Sequence, residues 1–200
     1  MLIIPEIQLQ DGKVVTRSSI EGSSTIHDIT PQKALEKFTT GGAQMIQIVD
    51  VDAARSQPGN NIEVIQALIN QTDVPVQVAG GIRTMTQIND WFEVGAARVV
   101  LGTIAITDTP LVVEAANRHP GGIIVHLATR DGYVMIDGWK TQTAFQSKDL
   151  IRDLCEILRT TKGGISVLPR TLGNVLNSQA CRSKLHKSQC LDRCSFKYYP

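Results

Sequence analysis

Apolar and polar positions along the first 160 residues alternate between the period of a buried strand and the period of an amphipathic helix. Capped stretches with apolar residues three or four positions apart separate the apolar runs. Thr84-Met85-Thr86-Gln87 is a capping box, Thr30-Pro31 opens a helix, and Thr109-Pro110 offers another helix a cap and a first-turn proline. The short apolar runs predict five strands, at 2–9, 45–51, 74–78, 97–101 and 123–127. Strands and helices that alternate about every 25 residues predict βα units on a parallel sheet, hence an α/β fold.

An internal repeat links the start of the chain to its later part. Residues 3–14 and 123–134 share a pattern of apolar positions followed by Asp-Gly, with a constant offset of 120 residues. This predicts a duplicated unit, with a first half at 1–120 and the start of a second half at 121–159. A (β/α)8 TIM barrel needs eight βα units. We therefore predict a fold of this type that is incomplete, with about five units.

The composition changes after residue 159. Residues 1–160 contain thirteen basic and eighteen acidic residues, whereas residues 161–200 contain seven basic residues and a single acid, Asp192. The apolar period also stops, so we expect 160–200 to be a basic, Cys-containing, poorly structured tail without a sixth strand. It is either a frameshifted reading of the gene or a divergent extension. The tail contains four residues of the types that bind zinc, which are Cys181, His186, Cys190 and Cys194. Their spacing matches no common zinc motif, so we predict no metal site.

Two predicted strands end in small-residue turns that precede helices. Gly80-Gly81 follows the third strand, and Gly102-Thr103 follows the fourth. In a parallel sheet such turns direct backbone N–H groups and helix N-termini to one point, an arrangement that binds phosphate. The alternative is that these glycines only allow tight turns.

Several motifs together resemble the histidine-biosynthesis isomerase family, the phosphoribosylformimino-aminoimidazole carboxamide ribotide isomerases, and its sister cyclase barrels. The motifs are 4–15, Val49-Asp50-Val51-Asp52, Ala79-Gly80-Gly81-Ile82-Arg83, Leu101-Gly102-Thr103 and Asp137-Gly138-Trp139. The resemblance covers residues 1 to about 158. It implies a duplicated barrel, a ligand with a phosphate at each end, and an Amadori rearrangement of an aminoaldose to an aminoketose.

The resemblance also shows departures from the family pattern. Gln8 and Ala128 occupy the positions of the two aspartates that act as general acid or base in the family. An amide and a methyl group do not exchange protons, so we expect impaired or absent isomerisation. Asp50, which could equally be a structural carboxylate, and Glu6, as a buried acid, are possible substitutes.

The resemblance further implies substrate binding by Asp50, Arg83 and Trp139, although Trp139 could be a loop hydrophobe and Arg83 a helix-start residue. We expect Asp52, which follows the strand, to be solvated. His126 shares a face with Ala128 and is expected to be a core histidine.

Composition limits the remaining functions. A net charge of +1 gives no reason to expect nucleic acid, and no apolar run is long enough for a membrane span or a signal peptide. We expect a cytoplasmic protein without a cofactor that binds a phosphorylated, phosphoribosyl-type molecule, with homodimerisation through the open barrel as an option. The alternatives to an isomerase are a non-catalytic relative that binds a phosphorylated ligand or a partner, and a truncated or frameshifted product.

Overall fold

The computed structural model describes residues 3–17, 24–57, 59–137, 140–158 and 166–172. The chain forms two compact units, Met1–Leu101 and Gly102–Pro200. No helix among the described residues is long and apolar enough to cross a membrane.

The first unit is built on a sheet in the order β3-β2-β1-β4-β5-β6. Strands β1, β4, β5 and β6 are parallel, whereas β2 and β3 extend the sheet as antiparallel strands beside β1. The strands are β1 Glu6–Gln10, β2 Lys13–Arg17, β3 Ser24–Ile26, β4 Ile46–Asp50, β5 Val76–Ala79 and β6 Arg98–Leu101. The helices are α1 Pro31–Thr40, α2 Val51–Ala54, α3 Asn61–Asn70 and α4 Met85–Glu93.

Local capping chemistry starts two of these helices as the sequence predicts. The Thr30 hydroxyl accepts a hydrogen bond from Lys33 N, and Pro31 occupies the first turn of α1. Thr84 and Gln87 form the predicted capping box at the start of α4. Both predictions are confirmed.

The two faces of this parallel sheet differ in polarity. Alternate residues of β1 and β4 that include Ile7, Leu9, Ile46 and Ile48 are fully buried, and helices α1 and α3 pack against these strands. The half-buried positions on the other face of these two strands include the polar residues Glu6, Gln8 and Gln47. The core of the unit therefore lies on the helix side, and the opposite face carries polar side chains.

The described residues of the second unit form three helices and four strands. They are α5 Ile104–Thr107, α6 Thr109–Arg118, β7 Ile123–Arg130, β8 Tyr133–Ile136, β9 Thr141–Gln146, α7 Ser147–Leu158 and β10 Ser166–Leu172. Strands β7, β8 and β9 are successive antiparallel neighbours, and β10 runs parallel to β7. The Asp108 carboxylate accepts from Leu111 N and caps α6, so the prediction that Thr109 is the cap is wrong by one residue.

The hairpins β1–β2 and β7–β8 reproduce the sequence repeat in three dimensions. Gln8 pairs with Val15 in the first hairpin, and Ala128 pairs with Met135 in the second, which is the same register displaced by 120 residues. Both turns are Asp-Gly with both φ angles positive. The hairpin equivalence is confirmed, whereas the proposed domain limits stay a prediction.

The main difference from the sequence expectation lies after residue 160. No strand is predicted there, yet β10 pairs with β7 from Ser166↔Ile124 to Leu172↔Arg130. Pairing with a long neighbouring strand supplies the order that the local period does not indicate. Residues 173–200 lie outside the described residues. Five βα units are present in the described chain, and the α/β class is confirmed.

Candidate functional site

The turn after β5 contains the first predicted phosphate-binding pair. Gly80 has φ +109° and Gly81 has φ +67°, conformations that favour glycine. A Cβ on Gly80 would lie 2.2 Å from the carbonyl oxygen of Asp50, and one on Gly81 would lie 2.5 Å from Ala53. Close packing against the β4–α2 junction is thus sufficient to explain both glycines. Their contact with a phosphate stays a prediction.

The second predicted pair, Gly102-Thr103, precedes α5 in the second unit. The Thr103 hydroxyl oxygen accepts a hydrogen bond of 3.1 Å from the backbone N–H of Asp137, in the turn after β8. Accepting this bond leaves the hydroxyl hydrogen to be donated to a ligand. The convergence of the two glycine turns on one anion stays a prediction.

Asp50 makes the contacts of a structural carboxylate. It is only 5% exposed, and its Oδ1 accepts from Ala53 N at 2.9 Å, which caps α2, and from Asn61 Nδ2 at 2.8 Å. These contacts supply the structural alternative that the sequence left open. Its use in catalysis or ligand binding stays a prediction.

Asp52 is not solvated, and that prediction is wrong. It is 5% exposed, and its Oδ2 accepts from the backbone N–H of Asp11 at 2.7 Å and from Asn61 Nδ2 at 2.9 Å. The Asn61 Oδ1 in turn accepts from Gly12 N at 2.8 Å. Helix α2 follows β4 at once and turns Asp52 back toward the β1–β2 turn, 41 residues away in sequence.

Asn61, which binds Asp50 and Asp52, is a residue of the candidate site that the sequence analysis missed. An asparagine at the start of a helix reads as a cap, yet the side chain of Asn60, the actual N-cap, makes no capping bond. Asn61 instead is fully buried and connects Asp50, Asp52 and the Asp11-Gly12 turn. The pair of adjacent asparagines before an apolar helix was the only available signal.

Glu6 and Gln8 lie on the polar face of the first sheet and contact each other. The Gln8 Nε2 donates to Glu6 Oε1 at 2.5 Å, and Gln47 Nε2 donates to Glu6 Oε2. Gln77 Nε2 donates to Gln47 Oε1 at 2.5 Å. Glu6 therefore acts as a hydrogen-bond acceptor through both oxygens. Sequence reasoning missed both Gln47 and Gln77, although each is the one polar residue inside an apolar run.

The other candidate residues are more scattered. Ala128 and His126 occupy alternate, half-buried positions of β7 in the second unit. The Arg83 backbone N–H donates to Gln87 Oε1, and its half-buried side chain forms no ion pair with any residue that the structure describes. Trp139 and the Cys/His set of 181–194 lie outside the described residues. Within the described ranges, no group of three or more His, Cys, Asp or Glu residues is arranged to hold a metal ion.

The comparisons with known proteins agree with these features. Residues 2–160 match the sequence profile of the histidine biosynthesis protein family. The chain is 34% identical over 159 residues to the phosphoribosyl imidazole-4-carboxamide isomerase 2 of Ruegeria pomeroyi, covering 78% of the chain and 64% of that protein. It is 34% identical over 172 residues to the corresponding isomerase of Rhodospirillum rubrum, covering 86% and 69%.

A third relative, the isomerase of Natronomonas pharaonis, is 35% identical over 141 residues, or 70% of the chain and 59% of the relative. The chain thus spans about two thirds of the length of these curated relatives. Its fold is α/β of the (β/α)8-barrel type, with five βα units rather than eight among the described residues.

Proposed function

Because the chain belongs to the histidine biosynthesis protein family, we propose that it binds a phosphoribosyl-type ligand and isomerises an aminoaldose phosphate to the ketose poorly or not at all. The observation that carries this proposal is the chemistry of positions 8 and 128. Gln8 is engaged as an amide donor to Glu6, and Ala128 offers only a methyl group.

Ring opening and enolisation both require a positioned acid and a positioned base. Each missing general acid or base typically lowers the rate by about 10²–10⁴-fold. Neither the amide of Gln8 nor the methyl of Ala128 supplies one, and Glu6 already accepts two amide hydrogen bonds. Loss of both groups therefore leaves ligand binding as the property that the remaining residues support best.

Phosphate binding is supported by two features of the first unit. The Gly80-Gly81 turn lies at the carboxyl end of β5, immediately before the capped helix α4. Arg83 stands in the same loop with no ion pair to any described residue, so its charge is available to an anion. The Thr103 hydroxyl supports a similar role for the second turn.

The test measures binding and turnover on the full chain. We expect ribose 5-phosphate to raise the thermal midpoint, and Arg83→Met to weaken its binding about five- to tenfold, since charge-assisted bonds to an oxyanion are among the stronger ones. Arg118→Met is the matched control, because Arg118 forms an exposed ion pair with Glu114. This variant should bind ribose 5-phosphate as well as the parent chain does.

Turnover is measured with the aminoaldose substrate and by growth of a histidine auxotroph that lacks the isomerase. We expect no growth, also with Gln8→Asp alone. Turnover at the rate of a full-length relative, or failure to bind any phosphorylated sugar, would contradict the proposal. Homodimerisation, the cytoplasmic location, the absence of nucleic-acid partners and the origin of 160–200 stay predictions.

A further inference from the structure

Four polar residues stand in one line across the parallel strands of the first unit. Glu6 pairs with Gln47, Gln47 with Gln77, and Gln77 with Arg98, on the strands β1, β4, β5 and β6. Residues in register on parallel strands share a face of the sheet. The line therefore has a carboxylate at one end and a guanidinium at the other, with two amides between them.

Glu6 sets the direction of every hydrogen bond in this line. An ionised carboxylate only accepts, so Gln47 must present its NH2 group to Glu6 and its oxygen to the next strand. Gln77 must then donate to that oxygen, as observed at 2.5 Å. Because the Gln77 NH2 group donates to Gln47, the last atom of the line is the Gln77 Oε1, which is an acceptor.

This terminal acceptor has no hydrogen-bond partner among the residues that the structure describes. Gln77 is 1% exposed, and its Oε1 is buried without a hydrogen bond. A buried acceptor left unpaired is costly, and such atoms are rare in native proteins. The site therefore requires a donor beside β5.

Arg98 is the next residue in the line. Among the described residues, its guanidinium N–H groups have only a weak hydrogen-bond acceptor. One guanidinium nitrogen lies 3.7 Å from the sulfur of Met45, which is a weak acceptor. No ion pair joins Arg98 to another residue of the described chain. A guanidinium is always charged and offers five N–H groups.

We propose that Arg98 donates to Gln77 Oε1 and so closes a relay that runs through Gln77 and Gln47 to Glu6. Every amide dipole in this relay points the same way, which strengthens each bond. The second oxygen of Glu6 accepts from Gln8, so Arg98 is a positioning residue for Gln8. The relay is independent of the proposed function; only its consequence for a ligand at position 8 rests on that function.

A double-mutant cycle on the ligand-free full chain tests the relay. The strands are about 4.8 Å apart, so Glu6 and Arg98 are separated by roughly 14 Å. For two mutations this far apart with no shared partner, the effects on the unfolding equilibrium constant multiply to within about twofold of the double mutant's effect. We expect Glu6→Gln and Arg98→Met to deviate from additivity at least fivefold, and Gln47→Met to abolish that deviation.

Two comparisons control the cycle. Glu6→Gln combined with Arg118→Met should be additive, and Arg98→Lys, which keeps a donor, should restore most of the stability lost in Arg98→Met. Additivity of the Glu6 and Arg98 changes within twofold would overturn the proposal. So would a high-resolution structure in which a water molecule, rather than Arg98, donates to Gln77 Oε1.

The positioning of Gln8 has its own readout. In side-chain amide NMR spectra, Arg98→Met should shift the NH2 resonances of Gln77 and Gln8, whereas Arg118→Met should leave both unchanged. Unshifted Gln8 resonances would remove the positioning role. These measurements need no ligand, so a failure of phosphate binding would contradict the proposed function without affecting this result.

Discussion

The two Asp-Gly hairpins of this chain have the same backbone but different supports. In β1–β2 and in β7–β8 the Asp-Gly turns have φ near +50° at the aspartate and +72° or +82° at the glycine, with the same cross-strand register. The turn Asp11-Gly12 is attached through its two N–H groups to Asp52 and Asn61. The turn Asp131-Gly132 accepts at Gly132 O from Ser147 N at 2.8 Å.

The residues that support the first turn have no equivalents 120 positions later in the sequence. The residues 120 positions after Asp52 and Asn61 are Leu172 and Cys181, neither of which offers a carboxylate or amide oxygen. The hairpin itself persists because an Asp-Gly pair adopts positive φ at little cost wherever it stands. The Asp-Gly turn therefore keeps its backbone in both hairpins, although the distant partners of the first turn have no equivalents 120 residues later.

The polar faces of the two copies differ in the same way. Glu6 and Gln8 of β1 correspond to His126 and Ala128 of β7. The first copy carries an acceptor and a donor that bind each other, and the second carries an imidazole next to a methyl group. The same hairpin backbone therefore presents different side-chain chemistry at the two positions where the family resemblance places its aspartates.

The largest expected effect comes from removing the support of the first turn. Asn61→Leu keeps the approximate size but removes one hydrogen-bond partner from each of Asp50, Asp52 and the Gly12 N–H. A hydrogen bond to a charged group contributes about 1.5–3 kcal/mol, so loss of the two bonds to carboxylates should cost about 3–5 kcal/mol. Urea unfolding followed by circular dichroism measures the loss.

Asn70→Leu at the exposed end of the same helix is the control and should change stability by less than about 0.5 kcal/mol. A loss below about 1 kcal/mol for Asn61→Leu would mean that the first hairpin needs the network no more than the second does.

An intermediate effect separates the two aspartate positions. Gln8→Asp replaces the donor to Glu6 with a second carboxylate and should cost about 2 kcal/mol at pH 7, the value of a hydrogen bond to a charged group. Ala128→Asp, beside His126, should cost less than half as much. Equal costs at pH 7 in chemical unfolding would refute the contrast.

The smallest difference is expected between the two glycines. Gly12→Ala and Gly132→Ala place a Cβ at positive φ where no atom lies within 4 Å, so each should cost about 1–2 kcal/mol. Their losses in thermal unfolding should agree within about 0.5 kcal/mol. A larger disagreement would show that the supports, and not the turn alone, determine the backbone of each hairpin.

Much of the fold follows from short stretches of sequence. The capping box at Thr84, the Thr30-Pro31 start of α1 and the five predicted strands depend on residues a few positions apart, so period and caps predict them. The sequence analysis did not predict strand β10, because the order of this strand comes from its pairing with β7. The prediction that Asp52 is solvated was wrong, because its hydrogen-bond partner, the backbone N–H of Asp11, is 41 residues away in sequence.

The sequence alone determined the alternation of strands and helices, the 120-residue repeat, and the absence of a carboxyl group at positions 8 and 128, because these depend on residue type and spacing. Only the tertiary structure decided that Asp50, Asp52 and Asn61 form one buried network and that Glu6, Gln47, Gln77 and Arg98 stand in line. Hydrogen bonds between distant strands depend on register, and register is established when the strands pair.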